Sequence, residues 1–77
     1  MPASAPPDQL LASTLRRLRL ERNQTQEDLA HSTGITIAGL ARIERGQANP
    51  RWTTVRSIAS ALEVGMGELG EAVELGG

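Results

Sequence analysis

The ionisable and reactive side chains of this sequence allow little chemistry beyond charge. The bases are eight arginines, there is one histidine, His31, and there is no cysteine. No metal cluster, phosphate loop, disulfide or nucleophile–base pair can be assembled from that set. The residues therefore argue against an enzyme and give no reason to expect a metal or a cofactor. What remains is electrostatics. The whole chain has a net charge of −1, but its charges are segregated. Residues 16–56 hold all eight arginines against four acids (Glu21, Glu27, Asp28 and Glu44), a net +4. Residues 57–77 hold four acids (Glu63, Glu68, Glu71 and Glu74) and no base, a net −4, and Asp8 supplies the remaining −1. For an anionic ligand the local sign matters more than the total.

The elements that must position these arginines follow from periodicity and punctuation. Residues 1–7, MPASAPP, contain three prolines and only small partners, and are expected to form a passive, flexible arm without a basic residue. Residues 8–75 are expected to form a single domain. Its first helix spans about 8–22, with Asp8 as N-cap and Leu11, Leu15 and Leu18 turned to the core. Thr25 caps a second helix over 26–32, with Asp28 completing a capping box. Gly34 turns the chain, and Thr36 caps a third helix over 37–45 that ends on Gly46. Asn49-Pro50 breaks it. A fourth helix over 52–62 turns Val55, Ile58, Ala59 and Leu62 inward, and a weaker fifth helix covers 66–74 with Gly67 and Gly70 inside it. No strand pattern or repeat is visible, so the fold class is all-α with five helices. Residues 26–45 then form two short helices around a glycine turn. Such a pair cannot bury its own faces, and presenting its second helix outward is a common way to read the DNA major groove.

The residues from Leu15 to Leu69, about 55 of 77, resemble the XRE family, the lambdoid repressor and Cro type of helix-turn-helix protein. The matching pieces are LRRLR (15–19), TQEDLA (25–30), GIT (34–36), RIERG (42–46), NP (49–50), SIASALEV (57–64) and EL (68–69), in family order. The resemblance implies a compact lambda-repressor-like domain, sequence-specific binding to double-stranded DNA, and a homodimer on a two-fold symmetric operator. It places Gln26 at a helix N-terminus against a phosphate, where free N–H groups attract anions. It exposes Thr36, Ile37, Ala38 and Gly39 early on the third helix, with Ile37, Ala38 and Arg42 toward base edges. A guanidinium such as that of Arg42 bonds guanine O6 and N7 together, whereas Ile37 and Ala38 contact thymine methyls or exclude other groups. Many relatives carry polar residues at those two positions. Arg45, Asn49 and Arg51 fall where the family touches the sugar-phosphate backbone, and Arg19 and Glu44 where it has a structural salt bridge. Trp52, the lone aromatic residue, occupies a position usually filled by an aliphatic core residue, and is expected to plug the core at the start of the fourth helix.

Together these readings give a small cytoplasmic regulator of transcription, a repressor by default, whose only expected ligand is DNA. Restriction–modification controller proteins share the compact layout and the NP loop. Met66, Leu69, Val73 and Leu75 form an apolar stripe that closes the core in part and leaves a patch for a second subunit. No apolar run has the length of a membrane span. No second, sensory domain is evident, so control is expected to come from concentration or from another protein. The rival readings are an antitoxin or adaptor module whose main partner is a protein, and a ligand-binding domain that follows Gly77.

Overall fold

The computed structural model describes residues 9–75. The expected arm over residues 1–7, the Asp8 cap and the Gly76-Gly77 ending lie outside the described residues. Five helices follow in order: α1 (Gln9–Glu21), α2 (Gln26–Thr33), α3 (Ile37–Glu44), α4 (Trp52–Ala61) and α5 (Met66–Glu74). No strand occurs among the described residues, and none of the helices there is long and apolar enough to cross a membrane.

Hydrogen bonds at the helix ends explain why the helices start and stop where they do. At α2, Thr25 Oγ1 accepts the main-chain N–H of Asp28, and the Asp28 carboxylate accepts that of Thr25, both at 3.0 Å. At α3, Thr36 Oγ1 accepts the N–H of Gly39 at 3.0 Å. The first four helices share one type of ending, in which a left-handed residue lets the next N–H reach back five residues to a carbonyl. Asn23, Gly34, Gly46 and Glu63 are those residues, with φ of 56°, 74°, 69° and 59°. Glycine and asparagine suit this conformation, whereas glutamate carries a Cβ that does not. Glu63→Gly is therefore expected to stabilise the domain by up to about 1 kcal/mol, the strain relieved exceeding the added freedom of the unfolded chain. A thermal melt checks this, and a lower melting temperature would contradict it.

The capping box also has a pH signature. The main-chain N–H of Thr25, and after it the Thr25 side chain, hold the Asp28 carboxyl below its ordinary value of 3.8. A carboxyl that ionises more readily when folded stabilises the fold above its unfolded pKa, and the benefit fades as pH falls through the folded value. Thermal melts from neutral pH down into the acid range are expected to show a shallower loss for Asp28→Asn than for the parent. Equal slopes would contradict this role.

One contiguous core joins the helices. Leu15 of α1, Leu29 of α2, Leu40 of α3, and Ile58 and Leu62 of and after α4 are fully buried, and Leu69 closes the α5 side. Val55 and Ala59 are buried beside them, whereas Leu11 is only half-buried. Thr33, at the end of α2, is half-buried. Its hydroxyl donates back to the carbonyls of Leu29 and Ala30 at 2.9 and 3.2 Å.

Trp52 does not plug the core; it is 65% exposed. It lies on the stripe of Val55 and Ala59 but is the first residue of α4, one turn before that stripe becomes buried. Val55 fills the last buried level, and the indole lies instead at the rim of an apolar hollow shared with Leu11, Pro50, Met66 and Val73. The C-terminal stripe divides accordingly. Leu69 is buried, Met66 and Val73 are half-buried, and Leu75 is exposed.

Candidate nucleic-acid interface

α3 leans on α1 and α2, whereas α5, with the acidic residues Glu68, Glu71 and Glu74, packs on α1 and α4. The positive and negative parts of the sequence thus belong to different elements of the fold. Leu40 and Ile43 turn into the core and hold α3 by one face. Its other face carries Ile37 at 48% exposure, exposed Ala38 and exposed Arg42, with half-buried Ala41 between them. Ala38 and Arg42 are four residues apart, one turn along the same side. Ile37 also lines a shallow hollow with Glu27 and His31 of α2.

The far end of α3 is anchored through charge. Arg19 of α1 donates from Nε to one oxygen of Glu44 at 2.8 Å and from Nη2 to the other at 2.9 Å. Its Nη1 donates to the Gln24 carbonyl at 2.8 Å. The Arg19 and Glu44 side chains retain only 8% and 1% of their exposure. Gln26, the first residue of α2, adds a bond from Nε2 to Glu44 at 3.2 Å. Its amide is thus turned toward the last residue of α3 from the position expected to meet a phosphate. A further tie comes from Gln9, whose Nε2 donates to the Gly46 carbonyl at 2.9 Å. The Gln9 amide lies where a Cβ at Gly46 would project, so a larger residue there would displace that side chain and its bond, while the left-handed backbone (φ 69°) is what favours glycine. Gly39 answers a different need. A Cβ there would lie 2.9 Å from Thr36 Oγ1, pressing on the oxygen that caps the helix.

Beyond Glu44 the chain leaves α3 along exposed Arg45, Gln47, Asn49 and Arg51. Arg45 Nε donates to Gln47 Oε1 at 3.2 Å. Among the described residues, Arg42, Arg45 and Arg51 form no ion pair, whereas Arg17 is paired with Glu21 and Arg19 with Glu44. The carboxylate nearest in sequence, Glu44, is committed inward to Arg19. The site residues read from the sequence thus fall into an exposed face of α3 (Ile37, Ala38 and Arg42), an exposed exit segment (Arg45, Asn49 and Arg51), and two residues at helix starts (Gln26 and Thr36). Sequence reasoning overlooked Gln9, Gln24, Ala41 and Gln47. Of these only Ala41 carried a usable signal, its spacing from Ala38 and Arg45 on one helical face.

No group of three or more histidine, cysteine, aspartate or glutamate side chains among the described residues is placed to hold a metal ion. The elements define a helix-turn-helix, α2 and α3 joined at Gly34, set within a five-helix domain. The family model of the helix-turn-helix domain matches residues 10–72, and the chain belongs to that family. It is 37% identical over 67 residues to the HTH-type transcriptional regulator DdrOP3 of Deinococcus deserti, covering 87% of this chain and 52% of that protein. The chain therefore spans about half the length of that curated relative. The restriction-modification controller protein C.Esp1396I superposes with a TM-score of 0.83 at 27% identity, covering 87% of this chain and 88% of that one. The controller protein C.AhdI from Aeromonas hydrophila gives a TM-score of 0.76 at 31% identity, over 79% of this chain and 92% of its own.

Proposed function

We propose that this chain is a sequence-specific DNA-binding regulator of transcription, non-enzymatic and cytoplasmic, acting as a repressor by default. Each copy of a homodimer lays α3 in the major groove, and two copies engage half-sites about one helical turn, ~34 Å, apart. The observation that carries the reading is the contrast around α3. Its inner face is packed, its end is clamped by the buried Arg19–Glu44 pair, and its outer face and exit segment present Arg42, Arg45 and Arg51 outside any ion pair among the described residues. The relatives support it. DdrOP3 is named as a transcriptional regulator, and C.Esp1396I has been solved as a tetramer in complex with its natural 35 base-pair operator.

The roles divide by position. Arg42 reads a base edge, with Ile37 and Ala38 beside it. Arg45, Asn49 and Arg51 hold the sugar-phosphate backbone, and the N-terminal ends of α2 and α3, at Gln26 and Thr36, receive phosphates. Thr36 Oγ1 accepts from Gly39, which leaves its O–H to donate. The exposed indole of Trp52, with Met66, Val73 and Leu75, supplies the apolar surface for the contact between copies. Backbone contacts add affinity without sequence information, and each releases counterions. Arg45→Ala and Arg51→Ala are each expected to weaken binding to all duplexes alike. Each should also reduce the slope of log K against log salt by about 0.9. Titrations at several salt concentrations measure this. Duplex affinity that does not fall with salt, from folded protein, would overturn the reading.

One observation favours a second reading, in which a partner protein covers α3: Ile37 leaves half its surface in solvent on a helix whose partners are otherwise chosen for packing.

A further inference from the structure

We infer that the cleft between the end of α2 and the outer side of α4 binds a phosphorylated sugar or polyol, so that the domain carries a small-molecule site of its own. The inference goes beyond DNA binding and does not rest on it. Two elements form the cleft. α4 turns Val55, Ile58 and Ala59 into the core, so Thr53, Arg56, Ser57 and Ser60 share its opposite side at helical spacing. Ser32 and Thr33, in the last turn of α2, line the same cleft. Its volume is about 580 Å³, within the size range of small-molecule sites.

The hydrogen-bonding groups of the cleft define the ligand. In α1 and α2 the helical hydroxyls turn back on their own main chain. Ser13 and Thr14 donate to the Leu10 carbonyl at 3.2 and 2.6 Å, Ser32 to that of Asp28 at 3.0 Å, and Thr33 to that of Leu29 at 2.9 Å. The hydroxyls of Thr53, Ser57 and Ser60 and the Arg56 guanidinium instead have no hydrogen bond or ion pair among the described residues. Ser32 and Thr33 donate inward and keep their oxygens as acceptors, while the three hydroxyls of α4 both donate and accept. That mixture matches the hydroxyl groups of a sugar. A guanidinium forks onto two oxygens of a phosphate, and no carboxylate among the described residues lines the cleft to oppose an anion. No aromatic ring there offers a platform for a nucleobase, and Ala61 is the one apolar residue of the lining. A nucleotide or an apolar effector would therefore leave its base or its hydrocarbon surface in water.

The test follows amide chemical shifts of the isotope-labelled full chain during titration with glucose 6-phosphate. Saturable changes are expected at residues 32–33 and 53–61, with a Kd of about 1–10 mM for one phosphate fork and a few hydroxyl bonds. Glucose and inorganic phosphate, each one part of that ligand, should bind about tenfold more weakly or less. Arg56→Gln, checked for an unchanged melting temperature, should weaken binding of glucose 6-phosphate by about tenfold, and Ser57→Ala by about three-fold. Inorganic phosphate binding as tightly as glucose 6-phosphate, or no localised change well above that concentration range, would overturn the inference. A second measurement separates a sugar phosphate from a phosphate of the DNA backbone. Arg56→Gln is expected to leave duplex affinity and its salt dependence unchanged. A loss of about 0.9 from the slope of log K against log salt would assign this guanidinium to DNA and overturn the inference.

Discussion

Replacing Glu44 with alanine is expected to cost about 3 kcal/mol or more, and to lower the melting temperature by more than about 10 °C. Both Glu44 oxygens accept from Arg19, at 2.8 and 2.9 Å, and Gln26 adds a third donor at 3.2 Å. The side chain is 1% exposed, so its removal leaves a guanidinium, itself 8% exposed, without its counter-charge. The cost arises from that stranded charge more than from the loss of a favourable pair. A double replacement of both partners by apolar residues, Arg19→Met with Glu44→Leu, is accordingly expected to recover most of the loss. The pair joins α1 to the last residue of α3, 25 positions apart, so it also sets where α3 lies on the domain. A Glu44→Ala melting temperature within about 2 °C of the parent would contradict this role.

Arg42→Ala is expected to behave in the opposite way. The side chain is exposed and outside any ion pair among the described residues, so the melting temperature should hardly change. Sequence preference should change sharply at one base pair per half-site. A bidentate contact to guanine contributes roughly 1–3 kcal/mol of discrimination, about five- to 150-fold against the wrong base. The variant should accept any base pair there while keeping its preferences elsewhere. This separates Arg42 from Arg45 and Arg51, whose loss should weaken all duplexes together. The comparison needs binding curves on duplexes that differ only at that position. An undiminished preference for guanine would show that another group reads it.

How much of this was legible in the sequence depends on the range of the interaction involved. The caps at Thr25 and Thr36 and the glycine turns at Gly34 and Gly46 act over a few residues, and the helices they bound were expected within a residue or two. The buried set of α4, Val55, Ile58 and Ala59, followed from periodicity alone. Trp52 did not, because periodicity gives the stripe a residue occupies but not where along the helix the core ends. The tie between Gln9 and Gly46 spans 37 residues and involves a glutamine with no distinguishing neighbour. The left-handed ending at Glu63 was equally hidden, since glutamate is no marker of that conformation. Arg19 and Glu44 were matched through family resemblance, as nothing in their spacing joins them. At the site, the residue types were readable, but not the direction of their bonds. That Gln26 turns its amide to Glu44, and Thr36 its oxygen to Gly39, depends on the folded backbone.

The central claim is that two copies of α3 read a symmetric duplex. The most direct test is selection of binding sites from a random duplex pool, with the purified protein at about physiological salt. The account predicts enrichment of a two-fold symmetric site whose half-site centres lie about 10 base pairs apart. Absence of any enriched sequence, from protein shown to be folded, would contradict it and would assign the exposed face of α3 to a protein partner instead.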